Sequence, residues 1–149
     1  MKFLVFIILL FLDYFSKKII FEQIGLNQFV QIFSFLDITH IHNYGISFGL
    51  FSGILPTWII IILGVLITFF IFYLMLTSKN KSEKIGLLLI VAGAVSNLTD
   101  RINNNYVLDF IYLHYNNFYW PAFNFADIYI TIGVIMVIYG NYILYKNRK

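Results

Sequence analysis

Residues 57–77 read TWIIIILGVLITFFIFYLMLT: 21 consecutive residues without a charge, a proline or any polar side chain larger than a threonine or a tyrosine. A helix needs about 20 apolar residues to cross roughly 30 Å of hydrocarbon. A stretch this long and uniformly apolar has no face to offer water, so it is a membrane span. The rest of the chain agrees with that reading. Of its 149 residues 60% are hydrophobic and 11% charged, whereas about 25% charge is usual in a soluble domain.

Three more apolar stretches flank this one. The first runs from Phe3 to about Ile20 and is interrupted by Asp13, Lys17 and Lys18. Lys2 and the apolar run after it look like the start of a signal peptide. However, no alanine occurs before Ala92, so an A-x-A-like cleavage site is missing and an uncleaved helix is expected. The third stretch, Ile85–Thr99, is short of a span. To cross, the helix must continue into Asp100 and Arg101, which puts a charged pair at the membrane boundary, where ionisable groups are functional candidates. The fourth is Ile128–Tyr145. The expected fold is an all-α membrane protein, a single domain over 1–149, with spans at about 3–21, 57–77, 84–101 and 126–145.

Lys2, then Lys79, Lys81 and Lys84, then Lys146, Arg148 and Lys149 all fall on one side of such a four-span chain. The positive-inside rule makes that side, and both termini, cytoplasmic. Segments 22–56 and 102–125 then lie outside. Residues 29–42 (FVQIFSFLDITHIH) are rich in aromatic and β-branched side chains and are expected to form strands. Segment 106–125 is dense in Tyr, Phe and Trp, which favour the headgroup level. Together they make a small β-containing extracytoplasmic cap resting on the membrane.

Polar residues collect at the same outer level: Asp13, Lys17, Asn43, Asn97, Asp100, Arg101, Asp109, Asn124 and Asp127. Asp13 and Lys17 share a helix face and can pair. Asn97, Asp100 and Arg101 lie on one face of another helix, and Asn124 and Asp127 are three apart where the fourth span begins. The chain has no cysteine, which removes a thiol nucleophile, thiolate metal sites and disulfides. Ser16 and Lys17 diverge on a helix, so they do not pair as a serine nucleophile with its base. H-E-x-x-H is absent, and His40, His42 and His114 have no spacing that builds a metal site, so neither metal nor cofactor is expected. A net charge of +3 is too small to suggest nucleic acid. Carboxylates remain. Two of them close together in a low-dielectric site keep one proton between them and can hydrolyse a peptide bond without a metal. The plainer roles are a helix cap for Asp127, a loop position for Asp109, and an interface pair for Asp100 and Arg101. A transporter or channel subunit is the alternative class, and a structural assembly subunit a third. The polar groups at one level and the apolar inner halves of the spans argue against a path through the membrane.

Five elements in order carry a family resemblance. They are Asp13 to Lys17 (D-x-x-x-K); Asn43, Gly45, Phe48 and Gly49 (N-x-G-x-x-F-G); Asn97, Asp100 and Arg101 (N-x-x-D-R); Val107, Asp109 and Phe110 (V-x-D-F); and Pro121 to Asp127 (P-x-F-N-x-A-D). The chain resembles the lipoprotein signal peptidases (signal peptidase II) over nearly its whole length. The resemblance implies that Asp109 and Asp127 are the catalytic aspartates. It implies that Asn43, Gly45, Asn97, Asp100, Arg101 and Asn124 support site and substrate, and that Asp13 and Lys17 brace it. It further implies a diacylglyceryl-modified prolipoprotein substrate cut before its lipidated cysteine, sensitivity to globomycin-type cyclic peptides, and a monomer in the bacterial inner membrane. Two departures stand out. Ser96 replaces a usual Gly, which is expected to loosen helix packing. Ile46-Ser47 replaces a small pair and is expected to narrow the substrate groove.

Overall fold

The computed structural model describes residues 2–46 and 53–146. Four helices and a four-stranded antiparallel sheet alternate as α1 (Lys2–Gln23), β1 (Phe29–Phe33), β2 (Leu36–Asn43), α2 (Thr57–Thr77), α3 (Lys81–Asn104), β3 (Val107–Tyr115), β4 (Phe118–Tyr119) and α4 (Phe125–Lys146). Phe48 and Gly49 of the second motif and Ser47 of the altered pair fall outside the described residues.

Among the described residues three helices are long and apolar enough to cross a membrane: α2, α3 and the Phe125–Ile143 part of α4. On α2, Ile60 is the one buried residue. Phe69, Leu66 and Ile67 are each about 60% or more exposed, as suits a helix facing lipid on most sides. α1 has 22 residues but carries Asp13, Lys17 and Lys18 within them.

α3 is the central helix, touching the other three. Expected over 84–101, it covers Lys81–Asn104 and so carries Asp100 and Arg101 as helical residues. Asn80 caps its start, its side chain accepting from Ser82 N at 2.9 Å. Asn105 ends it in the left-handed region, φ 66°, with its N–H bonded to Arg101 O. Its contact with α4 depends on small residues. A Cβ on Gly86 would lie 2.7 Å from Gly133 O, and one on Gly133 would lie 2.5 Å from Gly86 O.

The sheet has the order β1-β2-β3-β4. Strands were expected in 29–42, and β1 and β2 form there. β3 and β4 occupy the segment read as an aromatic belt. Residues Val107, Leu108, Asp109 and Phe110 are all buried in succession, so β3 lacks the alternation by which a half-exposed strand is recognised. The β2–β3 register pairs Ile41 with Asp109 and Asn43 with Val107. Phe123 then bridges Ile111, accepting from Ile111 N at 2.8 Å and donating to Ile111 O at 3.0 Å. That bridge delivers the start of α4 beside Asp109.

Candidate active site

Asn124 is the junction of the site. Its side-chain Oδ1 accepts from Asp127 N at 3.1 Å, and its own N–H donates to Asp127 Oδ2 at 3.1 Å. This reciprocal arrangement is a capping box with Asp in the place of Glu. Asn124 is therefore the cap of α4 and Asp127 its third residue, which corrects the simple cap role considered for Asp127. The same Asn124 donates through Nδ2 to Asp109 Oδ1 at 2.7 Å. One asparagine thus binds both carboxylates.

Each carboxylate has a second amide. Asn43 Nδ2 donates to Asp109 Oδ2 at 2.9 Å, and Asn97 Nδ2 to Asp127 Oδ1 at 2.9 Å. Asn43 in turn accepts from Gly45 N at 2.9 Å, and Gly45 O accepts from Arg101 Nη2 at 2.6 Å. Arg101 Nη1 also bonds Asn97 O at 3.2 Å. Asp109 is buried, 3% exposed, on a strand and not on a surface loop. Burial, and then the neighbouring charge of Asp127, push its carboxyl up to about 7, against the pull of the Asn43 and Asn124 hydrogen bonds.

The cations lie one layer away. Lys17 Nζ sits 2.6 Å from Asp13 Oδ2 and 2.7 Å from Asp100 Oδ2 and donates to Asn97 Oδ1 at 3.2 Å. Asp13 and Lys17 are 0% and 5% exposed. Asp13 also accepts from Ala126 N at 2.9 Å and from Ser96 Oγ at 2.5 Å. Asp100 and Arg101, adjacent in sequence, take different partners and form no pair with each other. Ser96 ties α3 to α1 through this bond, so the expected looseness gives way to an added contact. The ten sequence candidates are in this way joined in one hydrogen-bonded and ionic network.

Sequence reading missed the role of backbone groups and of Ser96. Ala126 N and Gly45 O carry no side-chain signal, and Ser96 was visible only as a departure from a motif. Among the described residues no histidine bonds Asp109 or Asp127. His40 Nε2 and His42 Nε2 are 3.0 Å apart, and His114 Nε2 is 3.2 Å from Asp37 Oδ1. Among the described residues no three His, Cys, Asp or Glu side chains gather as metal ligands.

Asp109 and Asp127 line one cavity of about 250 Å³ between α2, α3 and α4. Asn43, Asn97 and Arg101 are among its polar lining, and Leu63, Ile67 and Ile130 among its apolar lining. A buried carboxylate, Asp109, and a half-buried one, Asp127, share one space, each held by amides and neither ion-paired to a cation among the described residues.

The family model described as signal peptidase (SPase) II matches residues 5–143. The chain belongs to the signal peptidase II family. It is similar to the lipoprotein signal peptidase of Wigglesworthia glossinidia brevipalpis, 36% identical over 146 residues, covering 97% of this chain and 95% of that one. It is 36% identical to that of Buchnera aphidicola over 134 residues, covering 87% and 86% of the two chains. With that of Rickettsia felis it shares 42% identity over 115 residues, 76% of this chain and 58% of the relative. A solved bacterial membrane enzyme superposes with a TM-score of 0.90 at 28% identity, covering 99% of this chain and 91% of its own. A second reaches 0.81. The enzyme is a membrane-embedded hydrolase, an aspartic protease that removes signal peptides, and its apolar helices suit the bacterial inner membrane. The transporter and assembly-subunit alternatives fall with this membership.

Proposed function

We propose that Asp109 and Asp127 are the catalytic pair with which this enzyme removes the signal peptide from diacylglyceryl-modified prolipoproteins, cutting before the lipidated cysteine. The observation that carries this reading is Asn124, which bonds both carboxylates in one shared cavity. The pair keeps one proton near neutral pH, since Asp109 is raised to about 7. A water held between the carboxylates gives a proton to the ionised one and attacks the scissile carbonyl. The protonated one donates to the carbonyl oxygen; the other then passes the proton it took from water to the leaving nitrogen as the C–N bond breaks, and the diol returns a proton to the first. The pair titrates as a unit, so the two roles belong to the dyad. Asn43, Asn97 and Asn124 hold the carboxylates in place. Arg101 holds the Asn43–Gly45 turn, and Asp13, Lys17 and Asp100 lock α1, α3 and α4 around it.

The enzyme crosses the membrane four times, with spans at about 3–21, 57–77, 84–101 and 126–145. The reading of α1 as a span is supported by its sidedness. Phe3, Leu4, Phe11 and Ile19 are each more than half exposed, while Asp13 and Lys17 point into the bundle. Both termini are cytoplasmic, the sheet forms an extracytoplasmic cap over 22–56 and 102–125, and the aspartates open to the outer leaflet. Globomycin-type cyclic peptides inhibit the monomeric enzyme by occupying the aspartate cavity.

The test is cleavage of a diacylglyceryl-prolipoprotein by purified wild type, Asp109→Asn and Asp127→Asn, with a chelator control. Wild type is expected to cut in chelator, and each folded variant to lose on the order of 10²–10⁴-fold in rate. Near-full activity in either variant would remove that aspartate from the pair.

A further inference from the structure

The aspartate cavity is not the largest space between the helices. α1 and α2 both pack on α3 and leave a furrow between them. Its upper part holds about 330 Å³ and its lower part about 480 Å³. Phe6, Phe72 and Val91 line both parts, so the furrow is continuous. At the upper end Thr68 and Leu98 form a wall shared with the aspartate cavity. At the lower end, farthest from the aspartates, stands Lys84.

Two of the lining side chains are polar, Thr68 and Lys84. The Thr68 hydroxyl donates to Gly64 O at 2.6 Å within its own helix. The furrow therefore offers water almost no partners, and water needs two to four polar partners to stay in such a space. Left empty, its walls would forfeit their dispersion contacts. Hydrocarbon is the occupant that fits. From Lys84 to Val95 along α3 is eleven residues, or ~16 Å at the helical rise. That is about half of a ~30 Å hydrocarbon core, the depth of one leaflet.

The charge at the lower end decides which hydrocarbon. Lys84 has no carboxylate partner among the described residues, and the neighbouring Glu83 bonds Ser78 Oγ at 2.8 Å. Exposed Lys79 and Lys81 lie close by in the chain, and the start of α3 adds its partial positive charge. The apolar segment of a signal peptide would bring its own basic start to this end and meet like charge. A phosphate meets opposite charge.

We propose that the α1–α2–α3 furrow binds an anionic phospholipid from the leaflet opposite the aspartates, with an acyl chain along Phe6, Phe72 and Val91 and the headgroup phosphate on Lys84. The proposal rests on the reading of α1 as a span.

Native mass spectrometry of the full-length enzyme, released from membranes of mixed phosphatidylglycerol and phosphatidylcholine with matched chains, tests it. Wild type is expected to retain phosphatidylglycerol in preference. Lys84→Gln is expected to lower that retention roughly five-fold and Lys84→Glu further, with phosphatidylcholine unchanged. Leu88→Trp, which fills the lower furrow, is expected to lower both. Equal retention of the two lipids by wild type, or undiminished phosphatidylglycerol on both Lys84 variants, overturns the proposal. So does a Leu88→Trp enzyme that keeps its lipid but shows a raised KM for prolipoprotein, because the furrow would then hold the substrate's apolar segment. The cysteine-free chain allows a clean control. A Phe11→Cys variant shielded from a water-soluble maleimide keeps the four-span reading, so an unmoved lipid then sinks the lipid site alone. A labelled Phe11→Cys sinks the span reading and the lipid site with it.

Discussion

Asp13 binds Lys17, Ser96 and Ala126 with no exposure to solvent. A buried carboxylate of this kind is stable only while its partners are complete. Removing the Ser96 hydroxyl leaves Asp13 short of one donor, so Ser96→Ala is expected to lower stability by about 1–3 kcal/mol, read as a drop in the thermal unfolding midpoint in detergent. An unchanged midpoint would show that the bond contributes nothing. Asp109 makes a prediction of another kind. Its folded value of about 7 lies above the ordinary carboxyl value of 3.8, so its proton is bound below pH 7 and lost above. If that proton is the one donated in catalysis, kcat falls as pH rises through about 7. Linkage has the same sign: the folded protein holds this proton more tightly than the unfolded chain does. The charge on Asp109 thus costs stability increasingly from about pH 4 to 7. Asp109→Asn is expected to gain in stability relative to wild type over that window, and a difference independent of pH would refute the assignment. The spacings Asp13–Lys17 and Asn124–Asp127 were legible because a helix brings i, i+4 and i, i+3 together. The bonds from Asn43 and Asn124 to Asp109 join residues far apart in the chain. No periodicity announces them, and only the resemblance placed these residues in one site.

The helices are where the sequence speaks most directly, because burial in lipid and burial in protein select differently. α2 was legible from end to end, since it is apolar on every face and buries only Ile60. α3 was legible as a helix that must run on into its charges, and it does so to Asn104. The strands around the site were less legible. β3 is buried along its first four residues, so the pattern that marks a half-exposed strand is missing, and its register with β2 depends on tertiary contact. The α3–α4 seam carries its own prediction. A Cβ on Gly86 would meet Gly133 O at 2.7 Å, Met136 Cβ at 3.0 Å and Val137 Cγ2 at 3.0 Å. The first of these is backbone and cannot swing away. Gly86→Ala is expected to force the two helices apart and to cost about 1–3 kcal/mol, seen as a lower unfolding midpoint and as reduced activity, since α4 carries Asp127. A variant with wild-type midpoint and rate would mean that the seam is free to widen.

At the scale of the whole molecule the distribution of charge and the site's position have to agree. Lys79, Lys81 and Lys84 lie where α2 gives way to α3, at the opposite end of the bundle from the Asn124 junction. If that end is cytoplasmic, as the positive-inside rule requires, the sheet with its exposed Phe118, Tyr119 and Trp120 faces outward at the far interface. The aspartate cavity then opens at the level where an outer-leaflet lipid chain would hold a lipidated cysteine. The inverted arrangement would put the basic residues across the membrane and the cavity on the side from which signal peptides are exported. Single cysteines in the cysteine-free chain decide between the two. Phe118→Cys is expected to react with a membrane-impermeant maleimide in intact cells. Lys79→Cys is expected to react only after the membrane is opened. The reverse pattern would invert the molecule, and the diacylglyceryl group of the substrate would then have no route to Asp109 and Asp127 from the outer leaflet.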